Sequence, residues 1–349
     1  KMNYGKKSLI LHKKYKGKIE IRAKVLTKNK EDLSVTYTPG VAEISKLLQK
    51  NPSSAYIYSI KANTILIISD GSAVLGLGNI GPLGALPVME GKALLFKNFG
   101  NVDAYPICLD TQNTEEIIKT IKNIAPAFGG INLEDISAPR CFEIEQRLKK
   151  ELSIPVFHDD QHGTAIVVLA ALLNALIVVK KKKENIKIVI NGAGSAGQAI
   201  LYLLKKAGFS SEKIIILDSK GIISKKRTDL DFYKQKIAKI TNKNSLIGEL
   251  KDAIKQTDVF IGVSIKDILT KEMIDSMNID PIVFAMANPN PEISYKEIKK
   301  TKIAVFGTGR SDYPNQINNI LVFPGFFRGL LDARIKKITE KMKIDAAYA

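Results

Sequence analysis

Two carboxylates stand side by side in the stretch VFHDDQHGTA, which runs directly into an apolar segment. Asp159 and Asp160 repel each other when ionised, and a second acidic pair, Glu134 and Asp135, follows the apolar run GIN. Carboxylates that converge without an arginine raise one another's pKa, and a divalent cation removes that conflict. Because only oxygen ligands are offered, Mg²⁺ or Mn²⁺ is predicted rather than zinc. The alternative is that each acidic pair caps a helix N-terminus.

The two histidines around this pair are four residues apart, a spacing that on a helix would place both rings on one face. Gly163 and the helix start expected beside it argue against such a shared face. We therefore predict that His158 and His162 pack against or orient neighbouring groups instead of binding a metal.

A second set of residues has the spacing of a phosphate-binding turn. After the apolar run IKIVI, Gly192, Gly194 and Gly197 form a G-x-G-x-x-G pattern that encloses Ser195 and Ala196. The first glycine allows a tight turn, the second lets the backbone approach a pyrophosphate, and the third permits close helix–strand packing. The helix N-terminus attracts the anion. All five residues are predicted to contact a dinucleotide, although glycines at a turn can be purely structural.

The next predicted strand, KIIIL, ends at Asp218, twenty-one residues after Gly197. A carboxylate at this place holds the ribose diol of NAD and repels the 2′-phosphate of NADP. NAD is therefore predicted. Ser219 and Lys220 follow immediately and could bind a 2′-phosphate, so NADP stays open.

The elements that must position these residues are predicted from the apolar pattern. In the second half, the apolar runs IKIVIN, KIIIL, DVFIGV, PIVFAMA and KIAVFG alternate with helical patterns, which is typical of a parallel sheet covered on both faces. We predict an α/β protein: an N-terminal mixed α/β domain over residues 1–160, then a Rossmann-type doubly wound parallel-sheet domain over 161–349. Its last helix, Phe326 to Met342, is expected to pack back on the first domain.

Within the first domain, NTILIISDGSAVLGLG predicts a β-hairpin over residues 63–78 that turns at Asp-Gly. A helix is expected to open at Pro87, and Thr114 is expected to cap the next helix.

Composition argues against several classes of protein. The net charge is +18, but the positive charge is nearly all lysine spread along the chain, whereas nucleic-acid-binding proteins cluster arginine and aromatic residues. The apolar segment Thr164 to Val179 rises only about 24 Å, short of a bilayer core, so a buried helix is predicted. Two cysteines cannot make a disulfide framework, and the N-terminal residues lack a signal-peptide pattern, so a cytoplasmic location is expected.

Several motifs together resemble the malic enzyme family, and most closely its short bacterial members, over about residues 8–334. They are VTYTPGVAEI, DGSAVLGLGNIGPLGALPVMEGKALLFKNFGNVDAYPICLDT, INLEDISAPRCFEIE, VFHDDQHGTA, NGAGSAG, AMANPNPEI and NQINNILVFPGFFRG. The resemblance implies oxidation and decarboxylation of L-malate to pyruvate and CO₂ with NAD(P) and a divalent cation, in a homodimer. It also implies a role for seven residues: Glu134, Asp135 and Asp160 as metal ligands, Tyr37 as general acid, Lys92 as general base, and Asn288 and Asn319 as substrate ligands. Asn288 is also predicted to contact the cofactor.

The proposed base needs an unusual environment, because a lysine of ordinary pKa is protonated at pH 7. A nearby dication and apolar walls are expected to lower the pKa of Lys92, and Tyr37 could then exchange a proton with it. Lys97 is the alternative base. Without the resemblance, Lys92 would be read as a surface lysine and Tyr37 as a residue packed at a turn.

The chain departs from the larger family members at one position, where DGSAV has Ser72 and Ala73 in place of an arginine that binds a substrate carboxylate. Arg140, asparagine amides or backbone amides are the alternatives. Two other functions stay open: a malolactic enzyme, which makes lactate and retains its NAD, and, more remotely, a nucleic-acid-binding module on a Rossmann scaffold. Whether Tyr37 and Lys92 serve the metal site of a partner subunit also stays open.

Overall fold

The computed structural model describes residues 4–74 and 76–349. The strands are β1 (Thr64–Ser69), β2 (Asp103–Cys108), β3 (Gly130–Leu133), β4 (Val156–His158), β5 (Ile188–Asn191), β6 (Ile214–Asp218), β7 (Gly221–Ile222), β8 (Val259–Gly262), β9 (Ile282–Ala285) and β10 (Val305–Thr308). The helices are α1 (Tyr4–Tyr15), α2 (Lys30–Thr36), α3 (Val41–Lys50), α4 (Ala55–Tyr58), α5 (Gly81–Gly100), α6 (Thr114–Ile124), α7 (Arg140–Glu151), α8 (Thr164–Val178), α9 (Ser195–Lys206), α10 (Phe232–Ile240), α11 (Leu250–Ala253), α12 (Lys271–Asp275), α13 (Tyr295–Ile298), α14 (Phe323–Asp332) and α15 (Glu340–Tyr348).

The first sheet has the strand order β2-β1-β3-β4, and all of its neighbours are parallel. Every residue of β1, TILIIS, is buried, as expected of a central parallel strand whose two faces are covered. The predicted hairpin is wrong, since β2 and β3 take both edges of β1. In the part of the segment that the structure describes, only an isolated bridge joins Val74 and Gly78; Leu75 lies outside the described residues.

Two helix starts in this half differ from the prediction. Helix α5 begins at Gly81 with a proline in its first turn, and Pro87 lies inside it, so Pro87 does not open the helix. Helix α6 is capped by Asn113, not Thr114, because the Asn113 side chain accepts the backbone N–H of Glu115. Asn113 has the extended backbone of a residue that precedes a helix, so its side chain can reach the free amides of the first turn.

The second sheet has the order β10-β9-β8-β5-β6-β7, with only β7 antiparallel. The five strands predicted here are all present, and the α/β fold class with its Rossmann-type parallel sheet is confirmed. The chain order reverses at β5, which lies between β6 and β8. In open parallel sheets ligands bind at such a switch point, beyond the carboxyl ends of the strands.

Helix α8 and the π-helical turn before it (Asp159–Gly163) form one helix of 20 residues that is long and apolar enough to cross a membrane by length and composition. Most of its apolar side chains pack instead inside the protein, among them Val168, Leu169 and Leu172, whereas Ile177 and Val178 at its end are exposed. The prediction of a buried core helix is confirmed for the described structure.

The predicted final helix is two helices. Helix α14 ends before Arg334, whose φ of 49° lies in the left-handed region, and Thr339 caps α15 by accepting the backbone N–H of Met342. Helix α14 packs back on the first half of the chain as expected, with the ring centroids of Phe96 and Phe323 4.6 Å apart. Helix α15 packs instead on α8 and α9.

Candidate active site

The glycine-rich turn between β5 and α9 has the geometry its spacing predicts. Gly192 has a φ of 123°, and a Cβ added there would lie 2.5 Å from the carbonyl oxygen of Val263. A Cβ on Gly197 would lie 1.8 Å from the carbonyl oxygen of Gly192, whereas one on Gly194 would meet nothing within 4 Å. The first and third glycines therefore serve the turn and the helix contact. The second leaves open space at the start of α9, where an anion can approach the backbone.

Asp218, at the end of β6, is held by two cations that sequence analysis missed. The Asp218 carboxylate accepts hydrogen bonds from Arg227 at 2.7 and 3.2 Å and from Lys234 Nζ at 2.8 Å. Burial alone raises the pKa of this carboxyl, but these hydrogen bonds outweigh it and lower the pKa below its ordinary value. Arg227 also pairs with Asp229. The predicted ribose-binding residue is thus a carboxylate with positive charge behind it.

Two cavities meet at the glycine-rich turn. The larger, about 640 Å³, lies over Gly192 and Asp218 and is closed on one side by Phe142 and Tyr233. The smaller, about 200 Å³, lies over Ser195, Ala196 and Gly197. The smaller cavity is also lined by four of the predicted metal and substrate residues: Asp135, Asp160, Asn288 and Asn319. Both cavities include Gly194, so a dinucleotide in the first would extend toward the acidic residues in the second.

The carboxylates of Glu134, Asp135 and Asp160 converge at the carboxyl end of the first sheet. One oxygen from each lies within 4.8 Å of the others. Asp160 Oδ2 accepts the backbone N–H of Asp135 at 2.8 Å, which fixes the two acidic segments against each other. Asp135 has a φ of 54°, a left-handed conformation that costs a non-glycine residue about 1 kcal/mol or more and is most often kept at functional sites.

These three carboxylates repel one another. Burial, the largest cause, and the neighbouring Asp160, Asp159 and Asp135 raise the pKa of Glu134 well above its ordinary value, against the opposing effect of Lys92. A divalent cation with oxygen ligands fits this set, because the single positive charge of Lys92 does not balance three carboxylates and Asp159. Glu134 Oε2 also accepts a hydrogen bond from Asn132 at 2.8 Å, which orients it.

Lys92 lies on α5 and points into this acidic cluster. Its Nζ lies 3.0 Å from Glu134 Oε1, forms an ion pair with Asp159 and sits 4.3 Å from the centroid of the Phe323 ring. Burial would lower the pKa of Lys92, but Asp159, Glu134 and Asp160 outweigh it and raise that pKa above the ordinary value. Carboxylates surround the ammonium group more closely than apolar walls do, and the expected lowering of this pKa, which needs a nearby dication, stays a prediction.

The alternative base lies elsewhere. Lys97 pairs with Asp103 at 2.8 Å, and about half of its side chain is exposed. It belongs to the surface beyond the acidic cluster.

Asp159 and Asp160 differ in role although they are adjacent. Asp159 is fully buried and faces Lys92, whereas Asp160 faces Asp135. The π-helical turn that begins at Asp159 widens the backbone here, a feature that often marks functional sites. Sequence analysis left the choice between these two carboxylates to the family resemblance and missed the pairing of Asp159 with Lys92.

The histidines do not join the acidic triad. His158 is fully buried at the end of β4. His162 Nε2 lies 2.7 Å from Glu145 Oε1, and its Nδ1 lies 3.1 Å from Lys343 Nζ. Burial outweighs the opposing Glu145 and lowers the pKa of His162 to about 4. The predicted role of His162, a residue oriented by its neighbours, agrees with these contacts.

Two further residues were predicted to take part in proton transfer or in substrate binding. Tyr37 follows α2 with 67% of its surface exposed and lines neither cavity. Arg140 Nη2 donates to Asp70 at 2.8 Å and to Ser72 Oγ at 3.0 Å, so its charge is already neutralised by a buried carboxylate. The described structure therefore brings Lys92, the acidic triad and the two asparagines together within one chain, and leaves Tyr37 apart from them.

A glycine-rich turn at the switch point of a Rossmann sheet, opening toward buried acidic residues and a lysine, defines a dinucleotide-dependent enzyme. Comparison with known families identifies one family over nearly the whole chain. The model of the malic enzyme N-terminal domain matches residues 16–149, and that of the malic enzyme NAD binding domain matches residues 161–349. The chain belongs to the malic enzyme family.

Individual relatives are similar over the whole chain. An NAD-dependent malic enzyme of Geobacillus stearothermophilus is 56% identical over 348 residues, 100% of this chain and 72% of the relative. A bifunctional malic/malolactic enzyme of Bacillus subtilis is 54% identical over 349 residues, 100% of this chain and 85% of the relative. The crystal structure of an NAD-dependent malic enzyme from Thermotoga maritima superposes with a TM-score of 0.94 at 49% identity, covering 98% of this chain and 90% of that one.

Proposed function

We propose that the protein oxidises and decarboxylates L-malate to pyruvate and CO₂ with reduction of a nicotinamide dinucleotide. One observation carries the proposal: the cavity at the start of α9 is bordered by acidic residues and by Asn288 and Asn319. Malate, the hydride donor, would be held beside these acidic residues and would face the nicotinamide end of the dinucleotide.

Glu134, Asp135 and Asp160 would hold Mg²⁺ or Mn²⁺. When bound, the ion supplies a Lewis acid for the C2 oxygen and the C1 carboxylate of malate and stabilises the enolate of pyruvate. Among the supporting observations are the convergence of the three oxygens and the raised pKa of Glu134. We expect Asp160→Asn to abolish most Mn²⁺ binding, and an unchanged affinity would remove this residue from the ligand set.

Lys92 would take the C2 hydroxyl proton as hydride leaves for the nicotinamide, which requires the neutral amine. Two of the three carboxylates that raise the pKa of Lys92 are proposed metal ligands, so we expect that pKa to fall when they bind a cation. Asn288 and Asn319 would donate amide hydrogens to the substrate carboxylates, in place of the arginine of larger relatives. Tyr37 would return a proton to C3 of the enol.

The exposure of Tyr37 supports a homodimer in which one protomer completes the site of its partner. Helices α1, α2 and α3 have no buried residue, yet they expose large apolar side chains such as Leu33, Val35 and Val41. Such a patch marks an interaction surface. A second copy of this chain would cover it and carry Tyr37 toward Lys92.

We propose NAD as the preferred cofactor, because Asp218 accepts hydrogen bonds in a place suited to a ribose diol. Arg227 and Lys234 behind that carboxylate leave NADP as a usable second cofactor. We also propose that the two domains divide between residues 160 and 161, where one π-helical turn joins the two sheets. A cytoplasmic location is proposed as well, because it suits the two free thiols Cys108 and Cys141.

The second candidate is a malolactic enzyme, which the bifunctional relative brings into consideration. Incubation with L-malate, Mn²⁺ and NAD decides between the two. We expect free reduced cofactor to accumulate in proportion to pyruvate. Lactate without free reduced cofactor would assign the malolactic reaction instead, and no turnover of malate would contradict both.

A further inference from the structure

A buried series of polar contacts joins α15 to the turn that carries Asp160. Lys343 on α15 is only 2% exposed. Its ammonium group lies 3.1 Å from His162 Nδ1 and 2.7 Å from Glu340 Oε1. His162 is the fourth residue of the π-helical turn Asp159–Gly163, and its Nε2 lies 2.7 Å from Glu145 Oε1 on α7. Three elements distant in sequence therefore meet at one imidazole ring.

The chemistry of the groups fixes the direction of these hydrogen bonds. A lysine ammonium can only donate, so Nδ1 of His162 accepts from Lys343. Lys149 Nζ also lies 3.2 Å from His162 Nε2, but the Glu145 oxygen, which can only accept, is closer to that nitrogen at 2.7 Å. The proton of a neutral imidazole then resides on Nε2, which donates to the Glu145 carboxylate. The contact with Lys343 thus selects the ring tautomer that binds Glu145.

Glu145 holds the turn at both ends. Glu145 Oε1 accepts the backbone N–H of His158 at 3.3 Å, just before the turn. The same oxygen accepts the N–H of His162 Nε2 near the end of the turn. Lys149 pairs with this carboxylate at 2.7 Å and offsets part of its charge. Asp160 lies between the two held positions, so a rotation of the His162 ring would release one side of the segment that carries it.

Packing alone does not require a charge at position 343. A methionine of similar length would fill the same space, and the Glu340 carboxylate that it leaves without a partner is about half exposed, so water can solvate it. The buried ammonium is explained if its hydrogen bond to His162 is what matters.

We propose that Lys343 is a positioning residue for Asp160, acting through His162 and Glu145. This inference rests on the proposed function, because it takes Asp160 as a ligand of the divalent cation. Groups that orient metal ligands through hydrogen bonds typically change metal affinity by about 10- to 100-fold when removed. We expect Lys343→Met to weaken Mn²⁺ binding roughly tenfold and to leave NAD binding at its wild-type value.

The experiment measures the dissociation constant of Mn²⁺ from the paramagnetic resonance signal of the free ion, on the full chain without substrate. Lys343→Arg retains a donor and should stay within about threefold of wild type. Lys341→Met is the matched control, since Lys341 lies on the same helix with 81% of its side chain exposed and pairs with Asp345. Unfolding temperature and NAD affinity report the fold of each variant.

A folded Lys343→Met protein with wild-type Mn²⁺ affinity would overturn the inference, as would an equal loss in Lys341→Met. Should Lys343→Met not fold, His162→Asn is measured in its place, and an unchanged affinity there has the same consequence. Failure of the proposed function looks different: wild type would not bind Mn²⁺, or Asp160→Asn would bind it as wild type does.

Discussion

Lys92 and Asp159 form a buried ion pair between helix α5 and the turn that follows β4, with the Asp159 side chain fully inaccessible to solvent. The pair holds Lys92, the proposed general base, beside the acidic triad. Asp159 itself is not one of the three proposed metal ligands. Asp159 thereby orients Lys92, and it also favours the ammonium form that must lose its proton before catalysis.

Asp159→Asn should shift the acidic limb of the kcat/KM profile to lower pH. Asp159 raises the pKa of Lys92, so removing its charge lets the amine become neutral at lower pH. Removing the charge of Asp159 should also lower the free energy of unfolding by about 3 kcal/mol. The remaining contact between Lys92 and Glu134 reduces this loss. The measurement is the pH dependence of malate oxidation at saturating Mn²⁺. Asp103→Asn, which removes the partner of the half-exposed Lys97, should leave the profile in place.

Tyr37→Phe and Lys92→Ala should each remove nearly all malate oxidation, and mixing the two inactive proteins should restore it. If Tyr37 serves its partner's site, random exchange of subunits in a dimer gives one intact site in each mixed dimer, or about a quarter of wild-type activity. The control mixture pairs Lys92→Ala with Asp160→Asn. Both residues belong to one site within one chain, so this mixture should stay inactive. Equal recovery in both mixtures, or in neither, would argue against the proposed sharing.

Local patterns predicted the five parallel strands of the second sheet because each is a short, largely apolar run between helical patterns. The three glycines were interpretable for the same reason: turn, cofactor approach and helix contact each need the absence of a Cβ at a fixed position. The prediction of a hairpin was wrong because the Asp-Gly signal is local. Pairing with β2 and β3, which lie further along the chain, makes β1 a central strand.

Several of the contacts that sequence reasoning missed join residues that are far apart in the chain. Nothing in the stretch around Asp218 indicates that Lys234, from the next helix, will pair with it. The link between His162 and Lys343 crosses 181 positions of sequence. The break between α14 and α15, by contrast, carried a readable signal, since Thr339 before Glu340 is a helix-capping sequence inside the predicted helix.

Asp218→Asn should shift cofactor preference toward NADP. The substitution leaves Arg227 and Lys234 without the carboxylate that they share, and both can then bind a 2′-phosphate. We expect the KM for NADP to fall roughly tenfold and the KM for NAD to rise, since one charge-assisted contact is worth about 1.5 kcal/mol or more. Initial rates with each cofactor give the ratio. Asp229→Asn removes the other partner of Arg227 away from the strand end and should leave that ratio nearly unchanged.

We expect Glu292 to make the fold less stable at high pH. Its carboxylate is fully buried and accepts the backbone N–H groups of Ser264 at 3.3 Å and Ala287 at 3.0 Å, which join the loops after β8 and β9. Burial, only partly offset by these bonds, raises the pKa of Glu292 from 4.5 to about 7. The folded protein therefore holds this proton more tightly than the unfolded chain, so stability falls as pH rises from the ordinary carboxyl pKa through 7, by about 3 kcal/mol in total.

Glu292→Gln removes this titration. At pH 5 the carboxyl of wild type is protonated, so the variant should be equally stable or slightly less stable, because its amide nitrogen cannot accept a backbone N–H. At pH 8.5 wild type carries the full cost of a buried charge, so the variant should gain relative to it by up to about 3 kcal/mol. Urea unfolding at the two pH values measures the difference, with Glu297→Gln on the exposed face of α13 as the control. A gap between Glu292→Gln and wild type that does not change with pH would show that Glu292 is ionised in the folded protein throughout this range.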